Sequence, residues 1–311
     1  MLNRTFSLGF CSRRRRAGVV GVALAPWLLA TAMGVAAPPA CERVTPVLRE
    51  RYGLEKFYSK AIDDRGIVFV GSEQVSDVAL TEACILIDRM LAGNAGLRSE
   101  LADAKLRVAV MAPTEMTTDL PEHRRLRPQR YWDRRARGLG ASRRSPVVSC
   151  GEENLLGLEG DPYAGECILL HEFAHAVDEL GMAHDPQFKV RLQAAYDRAV
   201  EAGLWRGAYA ATDPREYWAE GAQSWFHCNA APNKQHIDVQ TREQLASYDP
   251  PLAALLAEVF GDTPWRYEPP AKRLSEPHLA SWRQLPPRRF EWPAELRTID
   301  DETIESLREE K

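Results

Sequence analysis

Two histidines four positions apart enclose an acid in the run His171-Glu172-Phe173-Ala174-His175. Residues four apart on a helix lie on one face about one turn apart, so both imidazoles can reach a single tetrahedral zinc ion. The glutamate between them falls beside the metal without ligating it. Zinc lowers the pKa of a water it holds to about 7, and Glu172 is placed to take that proton as the water attacks a carbonyl. Three fixed positions in five are only a moderately specific signal. The setting adds to it, because Ile168, Leu169, Leu170, Phe173, Ala174 and Val177 make this helix a buried one. Burying two histidines and a glutamate without a shared partner is costly, which favours a metal over a hydrogen-bonded core cluster.

A catalytic zinc takes a third protein ligand and keeps one position open. Position 181, where a longer three-histidine motif would place its last histidine, is Gly181. Asp178 lies on the same helix and points off the metal face. The segment Asp213-Pro214-Arg215-Glu216-Tyr217-Trp218-Ala219-Glu220 is the better source. Glu216 and Glu220 are one turn apart and share a face, so one can ligate zinc while the other hydrogen-bonds a ligand histidine from outside. Glu216 also stands three residues after Asp213, as a capping box requires. Capping explains neither Glu220 nor why both acids sit in a segment with Trp218, Ala219, Trp225 and Phe226. The spacing favours Glu216 as the third ligand.

Together these residues resemble the catalytic domain of anthrax lethal factor and the related proline-directed bacterial (Pro-Pro) endopeptidases. That family carries the zinc-binding helix, then a tyrosine, then a pair of the form Glu-x-x-Ala-Glu. Here the tyrosine is Tyr209, seven residues before Glu216, and the pair is Glu216 and Glu220. The resemblance implies a zincin metallopeptidase with Zn2+ on His171, His175 and Glu216, Glu220 outside the ligands, and Tyr209 as a hydroxyl donor to the tetrahedral intermediate. It spans roughly residues 165 to 225 and carries over no substrate preference. Taken alone, Tyr209 reads as an ordinary packed aromatic near Trp205.

The elements that must hold these residues leave clear marks. Residues 66–71 and 105–111 read as buried strands flanking a helix from Val75 to Leu91, a β-α-β start. Residues 120–145 hold nine arginines among Pro128, Trp132 and several glycines, and read as a long irregular basic loop with a solvated surface. Asp-Pro pairs at 161, 185 and 213 each mark a helix start, with Gly181 and Gly203 as stops after the first two. The second helix carries Phe188, Leu192, Tyr196 and Val200 as a packing stripe. A fourth helix spans about 241–260, split by Pro250 and Pro251. Beyond Gly261 proline and charge dominate, predicting a loosely attached tail.

Composition bounds the rest. With 311 residues, 45% hydrophobic and 27% charged, the chain can bury a full core. Arg13 to Arg16 precede an apolar run from Ala17 to Ala37, the layout of a signal peptide, which predicts export to the periplasm or outside the cell. Membrane contact is expected only if that leader stays uncleaved as an anchor. Its removal takes away five arginines and no acid, moving the net charge from −4 to −9 and arguing against nucleic-acid binding. Cys41, Cys84, Cys150, Cys167 and Cys228 remain, and Cys150 with Cys167 is the expected disulfide.

The sequence thus predicts a signal peptide over 1–37, an α+β zincin-like domain over 38–265 with a mainly helical C-terminal half, and a proline- and charge-rich tail over 266–311. The function predicted is an exported zinc metalloendopeptidase acting on protein or peptide substrates. Its alternative is an inactive exported zinc-binding protein of the same fold.

Overall fold

The computed structural model describes residues 40–280, 282, 286–299, 303 and 304. The leader expected over 1–37 lies outside them. The fold is α+β. Its six strands are β1 (Glu42–Arg43), β2 (Lys60–Asp64), β3 (Ile67–Gly71), β4 (Arg107–Met111), β5 (Gly138–Leu139) and β6 (Val147–Gly151). They form one sheet in the order β1-β2-β3-β4-β6-β5. The expected β-α-β unit is β3, the helix Asp77–Met90 and β4, with Val68 opposite Arg107 in parallel register. β2 joins β3 through Arg65 and Gly66, both at positive φ, the two-residue turn whose twist suits a tight hairpin.

Alternation along the strands sends side chains to two buried faces. Val68, Val70, Ala109, Met111 and Val147 pack with Tyr52, Leu54, Tyr58 and Leu120. Phe69, Val108, Val110, Val148 and Cys150 face the larger core that also holds the His171 and Glu216 helices. Burial on both faces is why the parallel strands read as continuous apolar runs. β6 escaped that signature because Ser149 interrupts its apolar run, yet it is fully buried beside β4.

The basic segment differs from its expectation. It contains the helix Gln129–Arg135 and the edge strand β5, antiparallel to β6. Several of its arginines are tied individually, while Arg125, Arg143 and Arg144 are exposed. Arg124 pairs with Glu55, and the wholly buried Arg137 donates to both carboxylate oxygens of Glu153 at 2.5 and 3.1 Å. A buried pair of this kind holds only because each charge meets its partner in good geometry.

Two Asp-Pro starts cap helices as read: Asp185 for Pro186–Glu201 and Asp213 for Pro214–Trp225. Asp161 does not, since it accepts from Tyr163 N at 3.0 Å in a turn. That helix begins at Ile168, whose amide is capped at 2.8 Å by Asn154 Oδ1 from another element. On Pro186–Glu201, Phe188 and Leu192 are buried but Val200 is 48% exposed, while Ala195 and Ala199 turn inward. Steps of four overshoot the 3.6-residue turn, so a strict i+4 stripe drifts off the core face. The 241–260 helix is two, Arg242–Tyr248 and Pro250–Phe260, with Asp249 capping the second.

The described part of the tail is tied to the core. Arg273 and His278 both bond the buried Glu82, His278 at 2.7 Å, and Arg288 donates to Glu152 at 2.5 Å. Phe290, Leu296 and Ile299 cluster with Met116 and Tyr131. Such a segment needs no periodicity of its own, because its contacts are set by acids that other elements bury. The five cysteines are free thiols, so the Cys150–Cys167 bridge is not formed. Both are buried core residues, behaving as small apolar side chains. No helix among the described residues is long and apolar enough to cross a membrane.

Candidate metal centre

The helix Ile168–Ala176 presents His171, Glu172 and His175, and the helix Pro214–Trp225 packs across it with Glu216 in its first turn. Trp218 Nε1 donates to Ala174 O at 2.9 Å, fastening the two helices. Beyond Ala176 the chain widens into a π-helical turn, Val177–Gly181, a distortion found at functional sites more often than elsewhere.

The structure brings His171, His175 and Glu216 together, with one donor atom from each within 4.8 Å of the others. Glu216 Oε2 stands 3.1 Å from His171 Nε2 and 3.5 Å from His175 Nε2. Atoms each 2.0–2.1 Å from a tetrahedral zinc are roughly 3.3 Å apart, so the spacing and the two-imidazole, one-carboxylate donor set fit that ion. The electrostatics also call for a cation. Burial alone would lower the pKa of His171, but Glu216, Glu172 and Glu220 together push it up to about 10. Glu216 moves below the usual carboxylate range: burial opposes this, and hydrogen bonds to both histidines overcome it.

Glu220, expected to hold a ligand histidine, lies 3.7 Å from His171 Nδ1, beyond hydrogen-bond range. Its oxygens instead meet Asn229 Nδ2 at 3.2 Å and His236 Nε2 at 3.5 Å. The partner of His171 Nδ1 is Gln223 Oε1, at 2.9 Å. Gln223 is oriented in turn by donating Nε2 to Glu166 at 3.0 Å. A carboxylate can only accept, so the Gln223 oxygen must face His171; Nδ1 then carries a hydrogen, a second one on Nε2 meets Glu216 in the metal-free protein, and Nε2 is the nitrogen that would be left to a metal. Gln223 lies seven residues after Glu216, two turns along the same face, a legible spacing that attention to acids passed over. His175 Nδ1 and Asp178 Oδ1, three residues apart, are both buried without a partner.

Losing an outer partner of this kind typically weakens metal binding by about 10–100-fold. Gln223→Leu is accordingly expected to lower zinc affinity by that factor, measured by competition with a chromophoric chelator. Unaltered affinity would remove the orienting role.

A cleft opens on one side of the triad, lined by Glu172, Tyr209, Arg135, Tyr163, Gly138 and His236 among others. Glycine is required where the basic segment meets the His171 helix: a Cβ on Gly138 would stand 2.5 Å from Ile168 Cγ2, and one on Gly140, just past β5, 2.6 Å from His175 Cβ. Glu172 is partly exposed to the cleft. Burial of its surroundings raises its pKa, with His171 and His175 opposing. Tyr209 opens a short 3₁₀ turn, its ring centre 6.3 Å from that of His171, and burial followed by the charge of Glu216 keeps its phenol protonated. Neutral Tyr209 can therefore donate, and Glu172, raised above the ordinary carboxylate range, is the stronger base for it.

No family model and no curated protein matches the chain. Among solved structures, the chain is similar to the Pro-Pro endopeptidase from Paenibacillus alvei, at 18% identity over 62% of this chain and 96% of that one. The TM-score is 0.35, a distant likeness that assigns no activity.

Proposed function

We propose that the protein is an exported zinc metallopeptidase. The observation that carries this reading is the convergence of His171, His175 and Glu216 beside a cleft that Glu172 enters. His171 Nε2, His175 Nε2 and Glu216 Oε2 would hold the metal. When bound, zinc supplies a Lewis acid that polarises a carbonyl and makes a water acidic enough to react near neutral pH. Glu172 accepts the proton of the attacking water at a carboxylate oxygen and passes it to the departing amine nitrogen. Tyr209 donates its hydroxyl to the acyl oxygen as charge develops there. Gln223 keeps the His171 ring in the tautomer that leaves Nε2 free. Export rests on the basic block and apolar run ahead of residue 38.

The test is a mass-spectrometric digest of a diverse peptide library by the zinc-loaded chain from residue 38 onward. Cleavage at a preferred bond is expected, abolished by a chelator and restored by zinc. A protein with zinc confirmed bound that cuts no peptide removes the reading.

A further inference from the structure

The C-terminal segment from Arg288 to Ile299 supplies nothing to the proposed chemistry, yet Phe290, Leu296 and Ile299 are buried. Its course is fixed at both ends. Arg289 forms a parallel β-bridge with Glu159, and Phe290 N donates to Glu159 O at 2.9 Å. Gly160 makes room for this approach, since a Cβ there would stand 2.1 Å from Phe290 O. The segment then crosses the helix Gln129–Arg135, where Arg130 and Arg134 donate to the carbonyls of Glu295 and Ile299 at 3.4 and 3.0 Å. The centre of the Trp292 ring stands 4.9 Å from the Arg134 guanidinium carbon.

Phe290 connects this segment to the cleft. Its ring centre lies 4.6 Å from the guanidinium carbon of Arg137, whose side chain is fully buried with Glu153. A guanidinium carries its five donors along its edge and none on its face, so Glu153 satisfies the edge and the face is left to an aromatic ring. Such a contact is strongest where water is excluded, as it is here. Ala136, Arg137 and Gly138 in turn form a wall of the cleft. That wall meets the proposed base directly: a Cβ on Gly138 would stand 3.1 Å from Glu172 Cγ. Contact therefore runs from Phe290 through Arg137 to the backbone beside Glu172.

We propose that Phe290 is a positioning residue: by covering the face of Arg137 it holds the wall 136–138 at the distance from Glu172 that a bound peptide needs. This rests on the peptidase reading above. Phe290 acts through the wall and touches none of the proposed metal donors, so its loss weakens peptide binding and spares the metal.

The experiment compares Phe290→Ala with wild type, both zinc-loaded, on a fluorogenic peptide carrying the bond found in the library digest. KM is expected to rise by about tenfold, inside the roughly 10²-fold that a misplaced group costs. kcat should stay within about threefold, because the wall meets bound peptide in the ground and transition states alike. Zinc affinity, read by chelator competition, should not move. Hydrogen exchange gives a readout free of activity. The amides of Ala136 and Leu139, which donate to Trp132 O at 3.1 Å and Ser149 Oγ at 3.0 Å, should exchange faster, and those of the helix Ile168–Ala176 should not. Trp292→Ala, at a half-buried position, should raise KM in the same direction by about threefold. It carries the test if Phe290→Ala fails to fold.

Unchanged KM, unchanged exchange at Ala136 and Leu139, or a loss shared by zinc affinity overturns the proposal and leaves the peptidase reading standing. A wild type that cleaves no peptide removes both.

Discussion

Glu172→Gln is expected to lower peptide hydrolysis by about a thousandfold, within the 10²–10⁴ that a general base contributes, while zinc content stays at the wild-type level. The amide keeps the size of the carboxylate and its place between His171 and His175, but it cannot take a proton. The proposed metal donors are the neighbouring imidazoles and Glu216, which the substitution leaves in position. Turnover and bound zinc, measured on the same preparation, separate the two effects. Retained hydrolysis would sink Glu172 as the base.

Glu216→Ala should cost more zinc affinity than Gln223→Leu, exceeding the roughly 10–100-fold typical of an outer partner, because a donor atom itself is removed. Calorimetric titration of the metal-free protein measures it. Affinity within tenfold of wild type would mean that the third donor lies elsewhere. Without metal the same side chain pairs with His171 at 3.1 Å. The raised pKa of His171 contributes stability that is complete below its unfolded value of 6.5 and is lost as pH rises towards about 10. The depressed pKa of Glu216 contributes stability above its ordinary 4.5 and loses it as pH falls further. The metal-free protein should then gain most from this pair between 4.5 and 6.5. Glu216→Ala should flatten that dependence, as thermal melts at stepped pH would record.

Much of the architecture was legible because local rules and tertiary demand agreed. The strands 67–71 and 107–111 are buried on both faces, so their apolar runs stand out whatever their neighbours. Asp185 and Asp213 bind amides two or three residues ahead, a contact that sequence spacing describes completely. Misreadings arose where the partner is remote. Asp161 has the same Asp-Pro sequence, but the helix start is set by Asn154 from another element. Most arginines of the basic segment are exposed as read, but nothing local reveals that Glu153 waits in the core for Arg137. The tail looked loose because Glu82 and Glu152, which receive its cations, lie far back in the chain.

By itself the sequence determined which residues share a helix face: His171 with His175, and Glu216 with Glu220. Helical periodicity is a local property, and these spacings express it. Only the tertiary structure decided that Gln223, not Glu220, meets His171 Nδ1, and that Gly138 and Gly140 lie against the His171 helix. Those outcomes depend on the angle and depth at which separate elements pack. Side-chain volumes distributed over the whole core set that angle and depth, and no single stretch of chain contains them.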